Sequence, residues 1–403
     1  MRFRCRGLIV LLIIITIQVS SYAQITFQYK HNTGDKWHLS SRVFEEVFYD
    51  GELLRDVEIL NKISVEVIKG DGSDGQLYNH YQIAERIARE GAYVWNSDYS
   101  VTYGRDRRGR LSGLKKDPPV PAVRNVPVYP EGMVSVFDVW EEKGEEFFDL
   151  RHAFNIDEIV VIGFTALYRY EGTAIVDDRD THKIRIEYAY NWEPEPDSVL
   201  LLHLRRYNAY PVAITGESAQ IIYWDQEAGK NFAEEGQFSY TFTMSDGGAY
   251  TFQGTTQGKA VYAEPMDKKG IAEKIKKLGY GEAIATDEGV KITLDNIHFI
   301  PDSSRMLPGE EKKLAAIADI LKTIPDKDIQ VTGHTASVIP YSDGLELSRR
   351  RAGRVAEYLI DTGVRELTQI VIRGMGDREP LADNRTEEGR KKNRRVEIMI
   401  MEN

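Results

Sequence analysis

From Gln24 to Ala263 the apolar residues recur mostly at every second position, a spacing that builds strands with one buried face and does not fit the 3.6-residue period of a helix. Phe238, Tyr240, Phe242 and Met244 alternate with Ser239, Thr241, Thr243 and Ser245. Asp246-Gly247-Gly248 then supplies a turn before Tyr250 and Phe252 resume the pattern, which predicts a β-hairpin. Ile184, Ile186, Tyr188, Tyr190 and Trp192 repeat the period around polar Arg185, Glu187 and Asn191, and Glu158 to Tyr170 reads as a more continuously apolar strand. One helix is expected to interrupt them: Tyr81, Ala84, Ile87 and Ala88 fall at helical spacing within Tyr78 to Glu90, and Gly91 follows as a stop. The strands together predict an antiparallel β-sandwich. Asp117-Pro118-Pro119-Val120-Pro121 reads as a linker, because consecutive prolines hold the chain extended and remove ladder donors. It divides the front into a mixed, mostly β region at 24–117 and a β-sandwich-like domain at 122–265.

Residues 1–23 read as a cleaved export signal. Arg2, Arg4 and Arg6 precede the apolar run Leu8 to Ile17, which is too short to span a bilayer, and Ser21-Tyr22-Ala23 offers small residues for a cut before Gln24. The single cysteine, Cys5, lies inside that signal, so the mature chain has no disulfide, thiolate nucleophile or cysteine zinc site. Alternating aromatic strands in an exported chain also raise the possibility of an outer-membrane barrel. The irregular segments, broken by Glu193-Pro194-Glu195-Pro196, Asp177-Asp178 and Glu234-Glu235, argue against it.

Charge is uneven along the chain. Residues 266–403 carry 24 basic and 24 acidic side chains, whereas 24–265 carry 25 basic against 39 acidic. The overall excess of 63 acidic over 52 basic residues disfavours nucleic acid as a partner, and the acidic front fits a solvated surface better than a dedicated binding face. No HExxH, GxSxG or glycine-rich phosphate loop occurs in the front, so no catalytic residue, cofactor or metal site is assigned. Asp177, Asp178 and Asp180 have the oxygen chemistry of a calcium site, but an acidic turn between strands is the commoner use of such a run.

Beyond Ile271 the period changes to strands alternating with helices. Val290 to Phe299, Ile329 to His334, Gln369 to Arg373 and Arg395 to Met401 read as strands. Pro308 to Leu321, Ser342 to Thr362 and Thr386 to Lys392 read as helices, with Leu347, Val355, Tyr358 and Leu359 as the inward stripe of the second. Helices over one face of a small mixed sheet make an α+β domain at 266–403.

Six motifs in this stretch resemble the OmpA-like (OmpA/MotB/Pal) peptidoglycan-associated domain. They are Phe299-x-x-Asp302-Ser303, Gly333-His334-Thr335, Leu347-Ser348-x-x-Arg351-Ala352, Gly363-Val364, Gly374-x-Gly376-x-x-x-Pro380, and the run from Asn384 to Glu397 that contains Asn393-Arg394-Arg395. The resemblance implies non-covalent binding of the peptide stem of peptidoglycan. Arg351 would hold the carboxylate of a diamino acid, with Thr335, Asp302, Asn393 and Arg394 around it. It also implies an aspartate and an asparagine at two places where this chain has Ala336 and Gly344, so half of the family's charge clamp is missing.

Two functions follow as expectations. In the first, the protein is a non-enzymatic tether between peptidoglycan and the outer membrane or a periplasmic protein partner, located in the periplasm in association with the outer membrane or wall. In the second, it is a periplasmic scaffold whose terminal domain has lost the wall and whose β-rich front binds a protein or a metal.

Overall fold

The computed structural model describes residues 24–402 apart from 89, 262–264, 295–298, 301 and 337–340. The expected signal at 1–23, Cys5 included, lies outside the described residues. The front strands are β1 (Lys36–Tyr49), β2 (Glu52–Gly70), β3 (Gly75–Ile87), β4 (Tyr93–Arg105), the short β5 (Leu111–Ser112) and β6 (Val123–Arg124), and β7 (Val139–Asp149). After helix α1 (Leu150–Phe154) come β8 (Ile159–Val176) and β9 (Arg179–Trp192), then helix α2 (Val199–Leu204), then β10 (Pro211–Asp225), β11 (Lys230–Met244) and β12 (Ala249–Val261).

The long strands run antiparallel in the spatial order β7-β8-β9-β10-β11-β12-β1-β2-β3-β4. They form one continuous sheet, not the two stacked sheets of the expected sandwich. The sheet coils until its inner face meets itself: Phe148 on β7 lies 5.1 Å from Tyr240 and 5.5 Å from Phe242 on β11, with β8, β9 and β10 between them in the order. At the far ends of the order, Arg108 and Arg110 beyond β4 both reach Glu142 on β7, and the Leu111 amide donates to Asn125 Oδ1. The alternation read from sequence explains the curl. Aromatic side chains from β8 and β9 fill the inside, Phe164 stacking on Tyr188 at 3.9 Å, while Thr165, Glu187 and Glu217 point outward. The segment before β1 enters the same core, with Phe27 and Tyr29 edge-on to Trp224.

Two further expectations are corrected here, and the acidic turn read at Asp177-Asp178 is found. Within the stretch expected as a helix, 78–87 belongs to strand β3, paired with β2 and β4. The prolines at 118–121 do not separate two sheets, because β1 pairs along most of its length with β12, on the far side of them. Asp177 and Asp178 form the β8–β9 turn with positive φ, and Asp177 pairs with Lys259 at 2.7 Å.

The C-terminal strands are β13 (Glu282–Ala285), β14 (Gly289–Leu294), β15 (Ile329–Gly333), β16 (Ile370–Gly374) and β17 (Val396–Met401), in the order β13-β14-β17-β15-β16. The β15–β16 pair is parallel and the others antiparallel, which makes the expected mixed sheet. Helices α3 (Lys268–Leu278), α4 (Glu310–Leu321) and α5 (Tyr341–Asp361) pack on one face in a single core that includes Ile275, Leu314, Val355 and Ile398. A short helix, α6 (Glu387–Asn393), precedes β17.

This domain is docked on the front sheet. β16 adds in parallel to β4 through Val371 and Ile372, opposite Tyr93 and Val94. Leu60, Ala84 and Tyr93 of the front form one apolar cluster with Leu367 and Val371. Beside it Lys62 pairs with Asp328 at 2.5 Å, and the Arg373 guanidinium lies 3.9 Å from the Trp95 ring centre.

The inner face of the curl also holds an acid. Burial pushes the Glu146 carboxyl up to about 7, the hydroxyls of Tyr190 and Tyr188 offsetting part of the rise. A carboxyl raised in the folded state costs stability as pH climbs from its unfolded value through the folded one. Unfolding midpoints of the native chain should therefore show a Glu146-dependent loss between pH 5 and 7, at most about 3 kcal/mol. Glu146→Gln should remove it, and the two proteins should differ least below pH 5.

Candidate functional site

The site is built where α5 crosses the ends of β15 and β16. Gly333 closes β15, and a Cβ there would stand 2.0 Å from the Ser348 carbonyl oxygen; at Gly374, closing β16, it would meet the Leu345 carbonyl oxygen at 2.6 Å. Two glycines thus let the helix backbone touch the strand ends, an approach any larger residue forbids. The contact fixes Ser348, whose hydroxyl donates to the Leu345 carbonyl at 2.7 Å and accepts from the Gly376 amide at 3.0 Å. Gly376 in turn accepts from the Thr335 amide at 2.8 Å.

One turn beyond Ser348 on α5, Arg351 projects from the same face. It is 7% exposed, its Nε donates to the Ser303 carbonyl at 3.0 Å, and its guanidinium lies 5.1 Å from the Phe299 ring centre. Nη1 and Nη2 make no hydrogen bond to any described residue. The loop that receives Nε is a tight reversal: Phe299 bridges Met306, the Ile300 amide donates to the Arg305 carbonyl, and Asp302 takes a φ of 54° at the tip. Burial lowers the Arg351 pKa, Asp302 works against that, and Arg394 and Arg350 add to it.

The other residues singled out in the sequence divide by what they touch. Thr335 is 3% exposed and its hydroxyl has no hydrogen-bond partner among the described residues. Ala336 is 6% exposed, and Gly344 is buried in the first half of α5. Asp302 is exposed. Arg394 is exposed, pairs with Glu387 at 2.9 Å and acts on Arg351 through its charge.

Asn393 departs from the ligand-facing role implied for it. It is fully buried, its Oδ1 accepts from the amides of Leu381 and Ala382, and its Nδ2 donates to the Ala382 carbonyl and to Asn384 Oδ1. All its hydrogen-bonding capacity is spent shaping the loop before α6.

A second charged cluster, not foreseen from the sequence as a unit, lies along β17. Glu397 is met by Lys291 Nζ at 2.8 Å and Arg395 Nε at 2.8 Å, with His334 Nε2 at 3.7 Å. Burial works to raise the Glu397 pKa, but its partners His334, Lys291 and Arg395 outweigh it and hold the carboxyl well below the usual range. The Arg395–Glu397 spacing of two on a strand was the available signal, since it puts both side chains on one face.

The OmpA family profile matches 298–394, the stretch that contains these groups except Lys291, Arg395 and Glu397. Residues 298–394 are an OmpA-family domain. Over 111 residues the chain is 38% identical to outer membrane porin F of Pseudomonas fluorescens, covering 28% of this chain and 33% of that protein. Over 143 residues it is 31% identical to the probable lipoprotein YiaD of Escherichia coli, covering 36% of this chain and 64% of that one. It is 38% identical over 109 residues to the peptidoglycan-binding protein ArfA of Mycobacterium tuberculosis, covering 27% of this chain and 33% of the relative. The chain thus spans a third to under two thirds of the length of these relatives. Among solved structures it is similar to the cell wall anchor of the T6SS from Pseudomonas aeruginosa, at 27% identity over 35% of this chain and 100% of that chain, with a TM-score of 0.31.

Two expectations follow for the OmpA-family domain. Gly333→Ala should destabilise the folded chain by several kcal/mol, on the order of a severe core substitution, because strand or helix must move apart; a denaturant midpoint measures it. A depressed carboxylate contributes stability above its unfolded pKa and loses it as pH falls toward the folded value. The acid limb of the stability profile should therefore be shallower in Glu397→Gln than in the native chain.

Proposed function

We propose that this chain is a non-enzymatic envelope protein that holds the peptide stem of peptidoglycan through Arg351, in a C-terminal domain of residues 266–403. The observation that carries this reading is the state of Arg351: an almost completely buried guanidinium with one carbonyl on Nε and two Nη groups without a described partner. Desolvating a cation is costly unless something pairs with it, and the guanidinium fork is shaped for two parallel bonds to a carboxylate. A stem peptide offers such a carboxylate. The reading is also supported by the name of one relative, the peptidoglycan-binding protein ArfA.

In this proposal Thr335, Asp302 and Arg394 border the bound carboxylate, while Asn393 serves by fixing the loop before α6. The front, 24–265, carries the envelope or protein partner, and the protein resides in the periplasm in association with the wall or outer membrane. The docking of the domain on β4 supports a rigid link between the two ends of such a tether.

Ala336 favours a second reading, in which the domain keeps its shape without the wall and the front binds a protein or metal. Co-sedimentation of the chain from residue 24 onward with purified sacculi separates the two. The tether requires pelleting that falls at least tenfold in Arg351→Ala, as expected for losing a charge-assisted bond of about 1.5 to 3 kcal/mol, with an unchanged melting curve. A native chain that stays in the supernatant leaves the scaffold.

A further inference from the structure

We propose that the outer edge of β4 is a docking site for an extended segment of a protein partner, which adds to the front sheet as one more strand. The inference deepens the reading that gives the front a protein partner, and it is independent of Arg351. On one side β4 pairs with β3 from Val94 to Arg105. On the other side it is used only at its ends: Tyr93 and Val94 take β16, and Gly104 and Arg105 take β5. Between those contacts, residues 97–103 pair with β3 alone among the described strands, a window of about 23 Å.

The direction of the free groups follows from the turn between β4 and β5. The Asp106 amide donates to the Arg110 carbonyl at 3.0 Å, so Asp106 and every second residue before it present N–H and C=O on the β5 side. Asp98, Ser100 and Thr102 therefore aim their backbone groups into the window, where no described residue bonds them. Their side chains are exposed. Burying unpaired N–H and C=O groups is costly, so such a row persists only where water or a further strand meets it. An extended chain repeats its own donors and acceptors at the matching two-residue interval. The same edge already receives a strand in this way, since β16 meets it through Val371 and Ile372.

Open edges are commonly guarded by charge, proline or short length. The edge of β7 beyond β6 carries Glu141, Glu142 and Lys143, and β13 has only four residues. The window of β4 reads Ser97-Asp98-Tyr99-Ser100-Val101-Thr102-Tyr103, with one charge, no proline and several strong strand formers. A second copy of this chain does not fit there. Its own β4 is a 13-residue strand that bears β5 and β16 on the same edge, longer than the window it would have to enter. A flexible segment that enters and leaves within the window does fit. On the inner face Val101, Leu111 and Leu114 pack against the Trp37 cluster, so the inward residues of the guest are apolar. Its outward residues stand beside Asp98, Ser100 and Thr102 and are polar.

Hydrogen exchange of the chain from residue 24 onward tests the edge itself. The amides of Asp98, Ser100 and Thr102 should exchange at least about tenfold faster than those of Tyr99, Val101 and Tyr103, which bond β3. Equal protection overturns the inference, because the edge is then covered. A displayed library of random peptides of about nine residues supplies the guest. The expected result is a peptide that protects the three fast amides. Its synthetic form should lose at least about tenfold in affinity when every second residue is N-methylated in the frame that faces β4, and keep its affinity when the other frame is methylated. Ser100→Pro removes a donor on the free side only, so it should leave the β3 ladder in place and weaken the peptide by a similar factor. A library that yields no peptide protecting these amides overturns the inference, and so does a peptide indifferent to methylation in both frames. The sacculus assay reads Arg351 and not this edge, so the two proposals fail separately.

Discussion

The contact between the α5 backbone and the ends of β15 and β16 is the constraint on which the site depends. Because positions 333 and 374 carry no Cβ, helix and strands meet at backbone distance, and everything nearby is then placed by hydrogen bonds of fixed length. Ser348 ties the helix to Gly376, Gly376 ties to Thr335, and Arg351 follows one turn along the same helix face. The guanidinium is consequently held by a rigid element, and among the described residues only its Nε has a hydrogen-bond partner. Pre-organisation of this kind lowers the entropic cost of binding, since the side chain has already lost the freedom a ligand would otherwise remove.

Two buried acids show how one fold sets opposite electrostatic states. Glu397 faces Lys291, Arg395 and His334, and remains ionised despite burial. Glu146 faces tyrosine hydroxyls and has no cation among the groups that shift it, so burial prevails and its carboxyl rises to about 7. The difference lies in partners: the sheet of the C-terminal domain is built with matched charge, whereas the inner face of the curled front sheet is aromatic, with neutral polar groups between the rings. The front's acidity sits mainly outside, on residues such as Glu187 and Glu217, where water screens it.

Much of the C-terminal domain was legible in the sequence because its signals are local. Leu347, Val355 and Leu359 mark one helix face, the strand runs are short and apolar, and the motifs that form the site recur in a fixed order. The front was legible in period but not in architecture. Alternation says that Tyr240 and Phe242 share a face; it does not say that Phe148 will meet them from β7, nor that β1 will pair with β12 on the far side of the prolines. Such pairings are long-range and leave no trace at either partner. The misread stretch 78–90 has a local cause. Leu77, Asn79 and Tyr81 do alternate inward, but Asn79 is polar and accepts from the Tyr103 hydroxyl, which hides the period. Ala84 is then buried in the cluster that meets Leu367 and Val371 of the C-terminal domain, so that Tyr81 and Ala84, both buried, stand three apart as they would on a helix.

The same logic separates what a site residue's identity can reveal from what only its surroundings can. Arg351 stands out in sequence as part of a motif, yet other arginines stand beside it, and nothing local distinguishes their roles. In the fold, Arg349 reaches back to Glu346 and Arg354 reaches forward to Glu357, and Arg365 is enclosed by the carbonyls of Leu321, Ile324, Lys327 and Val364. Each of these cations is answered from within the protein. Among the described residues Arg351 is answered at Nε alone and is largely buried, so what sets it apart is created by packing more than by residue type.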